Sequence, residues 1–263
     1  MRRRFGQGLR LGVAAGALAL VQTSRWGGPA QLVGEQSYAD AGTLREALAA
    51  LLGAGYGGWP LTIVLADDLV RLWRVTPFAQ TTCLADLEAA AALRFQSLYG
   101  DAPGLWHSSS AWDARAPFFC AVPRALLAQL TRVAAARKLA LIFITPQFAR
   151  HWNRWHGALK PGAWFGQMQG QTLTLGVRDN GCLRAVRALP VPTGAGRDWL
   201  LQALAREALL QGVSAPALLQ LCGTAPAGWL APAGAFHCQV FSTPEGEGAL
   251  SPAAQLAHSG GVA

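Results

Sequence analysis

The side chains able to do chemistry are few, and their spacing argues mostly against it. His107 precedes Ser108, Ser109 and Ser110, and a serine beside a histidine is the beginning of a nucleophile–base pair. Such a pair works when a strained elbow such as G-x-S-x-G presents the hydroxyl and a third group orients the base. Neither pattern is present, so the stretch reads as a polar strand or loop. His151 and His156 stand five apart, whereas two zinc ligands on one helical face stand four apart. They flank Trp152 and Trp155 and read as part of a tryptophan-rich packing face. Stacking of bases beside Arg150 and Arg154 is the alternative. Asp67 and Asp68 are the acids best placed for a site, yet consecutive aspartates between two apolar runs read as a solvated turn. The cysteines, Cys83, Cys120, Cys182, Cys222 and Cys238, are odd in number and contain no C-x-x-C pair. That excludes the usual disulfide frameworks and metal knuckles and predicts buried, reduced thiols. Gly53 to Gly58 matches G-x-G-x-x-G, but it follows a helical pattern and precedes a strand. The dinucleotide fingerprint does the reverse, so a flexible turn is expected.

Composition sets the frame for these residues. The chain has 263 residues, 52% apolar and 14% charged, enough for a sizeable core in one large domain or two small ones. The net charge is +8, carried by 20 Arg and 2 Lys. Arg2, Arg3, Arg4 and Arg10 lie in the first ten residues, and the rest are scattered among acids. A nucleic-acid groove needs clustered cations, so no nucleic-acid partner is expected. The basic start, followed by the apolar run Leu11 to Val21, has two readings. One is the leader of an exported binding protein, with a twin-arginine hint at Arg2-Arg3-Arg4-Phe5. The other is a strand: Gly12 and Gly16 break the run, no small-x-small site follows Val21, and Leu9, Leu11 and Val13 alternate. The strand reading is favoured. No other run reaches the ~18–20 apolar residues of a membrane-spanning helix.

The elements that must position any site follow in order. Residues 9–38 read as three short strands. Thr43-Leu44-Arg45-Glu46 reads as a capping box opening a helix with Leu44, Ala47, Leu48 and Leu51 on one face. Strands are expected at Leu61 to Ala66 and Leu69 to Val75. A helix is expected over 82–99, an ambiguous strand at Leu105 to Trp112, and a strand at Phe118 to Val122. A helix opened by Pro123, a strand at Leu139 to Thr145 and a helix over 147–159 follow. The second half begins at Ala163 with strands around Leu173 to Val177 and Leu183 to Val191. Asn180-Gly181 between them is the strongest hairpin signal in the chain. Asp198 reads as the cap of a helix ending at Gly212, and Pro216 to Cys222 as a last strand. Two hairpin-led α/β halves imply a duplicated fold.

This layout resembles the actin-like ATPase fold, an RNase H-like duplication with an inserted α/β subdomain. In detail it is similar to the actin-like pseudo-ATPases of bacterial type IV pilus and type II secretion assembly, PilM-like most of all and like the GspL cytoplasmic domain. The similarity covers about residues 9–230. The organisation it implies is a basic segment 1–8, a first half 9–160 with an insert at about 76–145, a reduced second half 161–242, and a disordered tail 243–263.

The resemblance also locates a nucleotide cleft and shows it degenerate. Active members carry strand-Asp-x-Gly at the first phosphate turn; Leu11-Gly12-Val13-Ala14-Ala15-Gly16 keeps both glycines and has Ala14 in the aspartate position. The second turn, Trp164 to Gly170, has glycines and no acid. The third is reduced to Gly223-Thr224-Ala225. Alanine neither coordinates magnesium nor polarises water, so no catalytic residue, no metal and no ATP are expected. Gly12, Gly16 and Gly223 are the remaining cofactor-binding positions, and a residual ATP-binding protein or weak ATPase is the alternative. By resemblance, the chain is a non-catalytic scaffold that binds a cytoplasmic peptide of an inner-membrane pilus or secretion protein. It would then lie in the cytoplasm at the inner membrane, associated peripherally through that partner, with self-association left open. The implied groove runs from about Leu69 to Pro146, with Trp73, Phe78, Leu98 and Phe119 as apolar candidates that also read as ordinary core.

Overall fold

The computed structural model describes residues 6–24, 29–76, 83–110, 118–231, 234–241 and 250–259. The elements, in chain order, are β1 (Gln7–Ala14), β2 (Ala17–Ser24), β3 (Gln31–Ser37), α1 (Ala41–Leu51), β4 (Pro60–Leu65) and β5 (Arg71–Arg74). Then come α2 (Leu84–Tyr99), β6 (Trp106–Ser110), β7 (Phe118–Pro123), α3 (Arg124–Ala136), β8 (Ala140–Pro146) and α4 (Gln147–Trp155). The chain continues with β9 (Trp164–Gln169), β10 (Thr172–Asp179), β11 (Cys182–Pro190) and α5 (Arg197–Gln211). It closes with β12 (Leu218–Cys222), α6 (Ala227–Leu230), β13 (His237–Val240) and α7 (Pro252–His258). These elements fall into two compact units, one of residues 1–70, 122–150 and 245–263, the other of 71–121 and 151–244.

The first unit is built on a sheet of order β3-β2-β1-β4-β8. The run that reads either as a leader or as strands is β1 and β2, paired antiparallel from Gln7↔Ser24 to Ala14↔Ala17. Alternation puts Leu9, Leu11 and Val13 on one face of β1 and Arg10, Gly12 and Ala14 on the other. The three apolar residues are buried. β4 and β8 join in parallel, so the carboxyl ends of β1, β4 and β8 lie side by side. Helix α1 starts earlier than the sequence suggests. Asp40 is its N-cap and accepts from Gly42 and Thr43 N–H at 2.8 and 2.9 Å, so Thr43 is the third helical residue of the box, not its cap.

Two expectations about this unit are corrected. The insert ends near residue 121, not 145, because α3 and β8 belong to the first unit and β8 pairs with β4. The tail expected to be disordered contains α7. Ser251 caps it, accepting from Ala254 N–H at 3.1 Å, and Pro252 opens it where a missing N–H costs nothing. Ala253, Ala254, Leu256 and Ala257 are fully buried against Ala14, Ala19, Val21 and Val64. Small side chains allow this close approach, and burial supplies the stabilisation that a seven-residue helix lacks by itself.

The second unit repeats the plan, with a sheet of order β11-β10-β9-β12-β13. Its core gathers Trp164, Leu173, Leu175, Leu200, Leu204 and Trp229. The Asn180-Gly181 hairpin forms as read: both residues have positive φ, 48° and 78°, as a type I′ turn demands. Helix α5 is capped by Gly196, and Asp198 sits in its first turn instead. Gly212, left-handed, ends it. A strand beyond Cys222, β13, adds in parallel to β12. The insert contributes a small sheet, β5-β7-β6, covered by α2. Trp73 stacks on Phe119 at 5.5 Å between ring centroids and meets Phe95 edge-on at 5.1 Å. Trp73 and Phe119 are therefore core residues of the insert, Leu98 packs partly buried beside them, and Phe78 lies outside the described residues.

Candidate functional site

In α/β sheets, ligands bind at the carboxyl ends of the parallel strands, so the site is sought where β1, β4 and β8 end. The β1–β2 turn is Ala15-Gly16, with Gly16 at φ +77°. Tyr38 holds this turn from the start of the α1 approach. Its N–H donates to the Gly16 carbonyl at 3.0 Å, and its hydroxyl donates to the Ala14 carbonyl at 2.6 Å. Burial pushes the Tyr38 phenol above its ordinary pKa, which keeps it a donor. No acid stands in the turn.

Gly12 is needed for packing. A Cβ built there would lie 2.1 Å from the Ala253 carbonyl oxygen and 2.8 Å from Ala257 N. The space over this residue holds the backbone of α7. On the same face, Arg10 is buried and donates to the Ala257 carbonyl at 2.9 Å, covering the last turn of α7, where a cation opposes the helix dipole. Burial, and then the neighbouring Arg150, lower the Arg10 pKa to about 10.

Asp67 is a residue that the sequence reading misplaces. It is 4% exposed, not solvated, and its Oδ1 accepts from Phe148 N–H at 2.9 Å. Ala66 N–H bonds the Val13 carbonyl at 2.8 Å, so the Asp67 carboxylate follows directly from the end of β4 beside β1. It caps α4, which Pro146 cannot cap. Gln147, 3% exposed, begins that helix, and its side-chain oxygen has no hydrogen-bond donor. Asp68 is exposed. A buried carboxylate at a strand end has a signal only when the strand order is known, and that order rests on long-range pairing.

In the second unit, the β9–β10 turn is Gly170-Gln171, with Gly170 at φ +53°. Gly223, at φ +87°, ends β12; a Cβ there would lie 2.0 Å from the Met168 carbonyl oxygen. That oxygen also accepts from Gln167 Nε2 at 3.1 Å. His151 Nδ1 is hydrogen-bonded to Gln167 Oε1, and His156 stacks on Trp152 at 5.8 Å. The two histidines thus have separate structural partners. Gly12 and Gly16 share one strand and its turn, and Gly223 belongs to the other unit.

Neither phosphate turn offers a carboxylate, and the backbone of α7 fills the Gly12 face. Among the described residues, no three His, Cys, Asp or Glu side chains gather as a metal site. None of the cysteines is in a disulfide, and only Cys222 is buried; Cys83 and Cys182 are exposed, contrary to the expectation of buried thiols. Burial pushes the Cys238 thiol up to about 11. No described helix is long and apolar enough to cross a membrane.

No family model matches the sequence, and comparison with curated proteins gives no match. Solved structures do match. The cytoplasmic domain of EpsL, an inner-membrane component of the type II secretion system of Vibrio cholerae, aligns at TM-score 0.59 and 12% identity. The match covers 95% of this chain and 92% of that one. A Bacteroides thetaiotaomicron protein with an actin-like ATPase fold aligns at TM-score 0.60 and 10% identity, over 84% of each chain. The chain has the actin-like α/β fold, with one five-stranded sheet of the same order in each half.

Proposed function

We propose that this chain is a non-catalytic actin-like scaffold in a bacterial type II secretion or type IV pilus assembly platform. In this reading it works in the cytoplasm at the inner membrane and binds a cytoplasmic peptide of a membrane-embedded partner. The observation that carries the reading is the state of the first phosphate turn. Ala14 replaces the acid, Tyr38 ties down the turn carbonyls, and α7 occupies the space over Gly12. Phosphoryl transfer depends on positioned metal and charge, and this turn supplies neither. The likeness to EpsL, itself an inner-membrane secretion component, supports the setting. The test is fractionation of the native bacterium. The scaffold should sediment with inner membranes and be released to the soluble fraction when the inner-membrane proteins of the pilus or secretion platform are deleted. Unchanged distribution in those deletions would overturn the setting.

The second reading is a residual nucleotide binder. One observation favours it: the buried Asp67 carboxylate beside the end of β1. Its test is whether Asp67→Asn alters any affinity for ATP while leaving the fold intact.

A further inference from the structure

The second unit holds a half-open cavity of about 600 Å³ where β5 of the insert runs beside β11. Ligand sites span roughly 300–1,000 Å³, and the volume falls within that range. Its charge is lopsided. Arg74, Arg94, Arg184 and Arg187 line it, against a single lining carboxylate, Asp179.

The four arginines are not equivalent. Arg184 pairs with Asp179 at 2.8 Å. Arg187 lies 3.5 Å from the carboxylate of Glu207, which is itself 1% exposed. Both guanidiniums are therefore held in place by the chain. Arg74 and Arg94 have no carboxylate partner among the described residues, and Arg74 Nε is buried with no acceptor. With Arg184 and Arg187 ion-paired, Arg74 and Arg94 leave an excess of positive charge in a partly desolvated recess, which an anionic group would relieve.

The backbone narrows the choice of anion. β5 is the last strand of the insert's sheet and β11 the last strand of the second unit's sheet. The two strands lie beside each other, so side chains of both strands and of α2 line the cavity. Leu209 and Leu210, 82% and 61% exposed, precede the lining residue Gln211. Arginines distributed over β5, α2 and β11, with exposed leucines next in sequence to the lining, suit an extended polypeptide better than a compact phosphate.

We infer that this cavity docks an extended acidic segment of a partner protein, its carboxylates on Arg74 and Arg94 and its apolar residues between them. In an extended segment, alternate side chains face the same way, so acidic and apolar residues should alternate. The inference rests on the peptide-binding part of the scaffold reading, since Trp73 and Leu98 of the groove expected from Leu69 to Pro146 line this cavity, but not on the state of the first phosphate turn.

The probe is a fluorescein-labelled peptide of about ten residues alternating leucine and glutamate, titrated with the full chain and followed by fluorescence polarisation. Saturable binding is expected, weakened by salt and absent for the leucine–glutamine counterpart. Combining Arg74→Gln and Arg94→Gln should reduce affinity about tenfold or more. Neither residue has an ion pair to lose among the described residues, and an unchanged melting temperature confirms that the double variant is folded. Equal binding of the glutamine peptide, an unaffected double variant, or no binding at all would overturn the inference. Displacement of the peptide by inorganic pyrophosphate at lower concentration would also overturn it, in favour of a small phosphorylated ligand. None of these results bears on membrane fractionation or on ATP.

Discussion

Gly12 lies directly beneath the Ala253 carbonyl, at a distance where a β-carbon would stand only 2.1 Å from the oxygen. This contact joins β1 to α7, the last described helix, and makes Gly12 a packing residue. Gly12→Ala must push α7 off the sheet. Overpacking costs about 1–3 kcal/mol when the obstacle is side chain; here it is backbone, so a loss at or above the top of that range is expected in urea unfolding. An alanine variant as stable as the parent would mean that α7 does not sit on β1.

Gly223 presents the same problem in the second unit, with a positive φ of +87° added to a 2.0 Å approach to the Met168 carbonyl. Left-handed backbone alone costs an alanine about 1–2 kcal/mol. Gly223→Ala should therefore be destabilising by more than that, with loss of amide-exchange protection centred on β12 and β9. Gly181→Ala, at φ +78° in an open hairpin turn, should lose only the conformational part.

Acidification should loosen α7. Burial, and then Arg10, hold the His258 pKa below its ordinary 6.5, and its Nε2 is buried without a partner. The unfolded chain therefore takes up the proton first. This contribution to stability is complete above about 6.5 and is lost as pH falls from there to the folded value. The melting temperature should drop over that interval, and His258→Gln should flatten the slope. A slope identical in the variant would assign it to other groups.

Asp67 holds the amino end of α4 through Phe148 N–H. Asp67→Ala should cost about 1 kcal/mol or more, as the loss of a helix cap does. Asp67→Asn keeps an acceptor and should cost less. Thermal unfolding of the two variants compares them directly; equal losses would show that the negative charge matters rather than the cap.

Much of the framework was legible because it is written in local pattern. Leu9, Leu11 and Val13 alternate, and they form one buried face of β1. Asn180-Gly181 fixed its hairpin by backbone conformation alone. What was hidden depends on partners far away in the chain. Helix α7 has little apolar patterning beyond Leu256, and its alanines acquire meaning only against Gly12. The end of the insert was misread because β8 is assigned by its pairing with β4, and no local periodicity encodes a parallel neighbour. Asp67 looks like a turn residue until α4, some eighty positions later, brings Phe148 to it. The glycines at 12, 16 and 223 were found by position, but their packing roles could not be: a missing side chain does not say what fills the space.

The central claim is that the first phosphate turn no longer serves a nucleotide. The most direct measurement is calorimetric titration of Mg-ATP into the full-length chain, paired with thermal unfolding at the same concentrations. The account predicts no saturable heat and no shift in melting. A ligand at 100 times its dissociation constant would stabilise the fold by about 2.7 kcal/mol, so binding could not pass unseen. Saturable, magnesium-dependent heat that Gly16→Val abolishes would contradict the account and return the chain to the nucleotide-binding members of its fold.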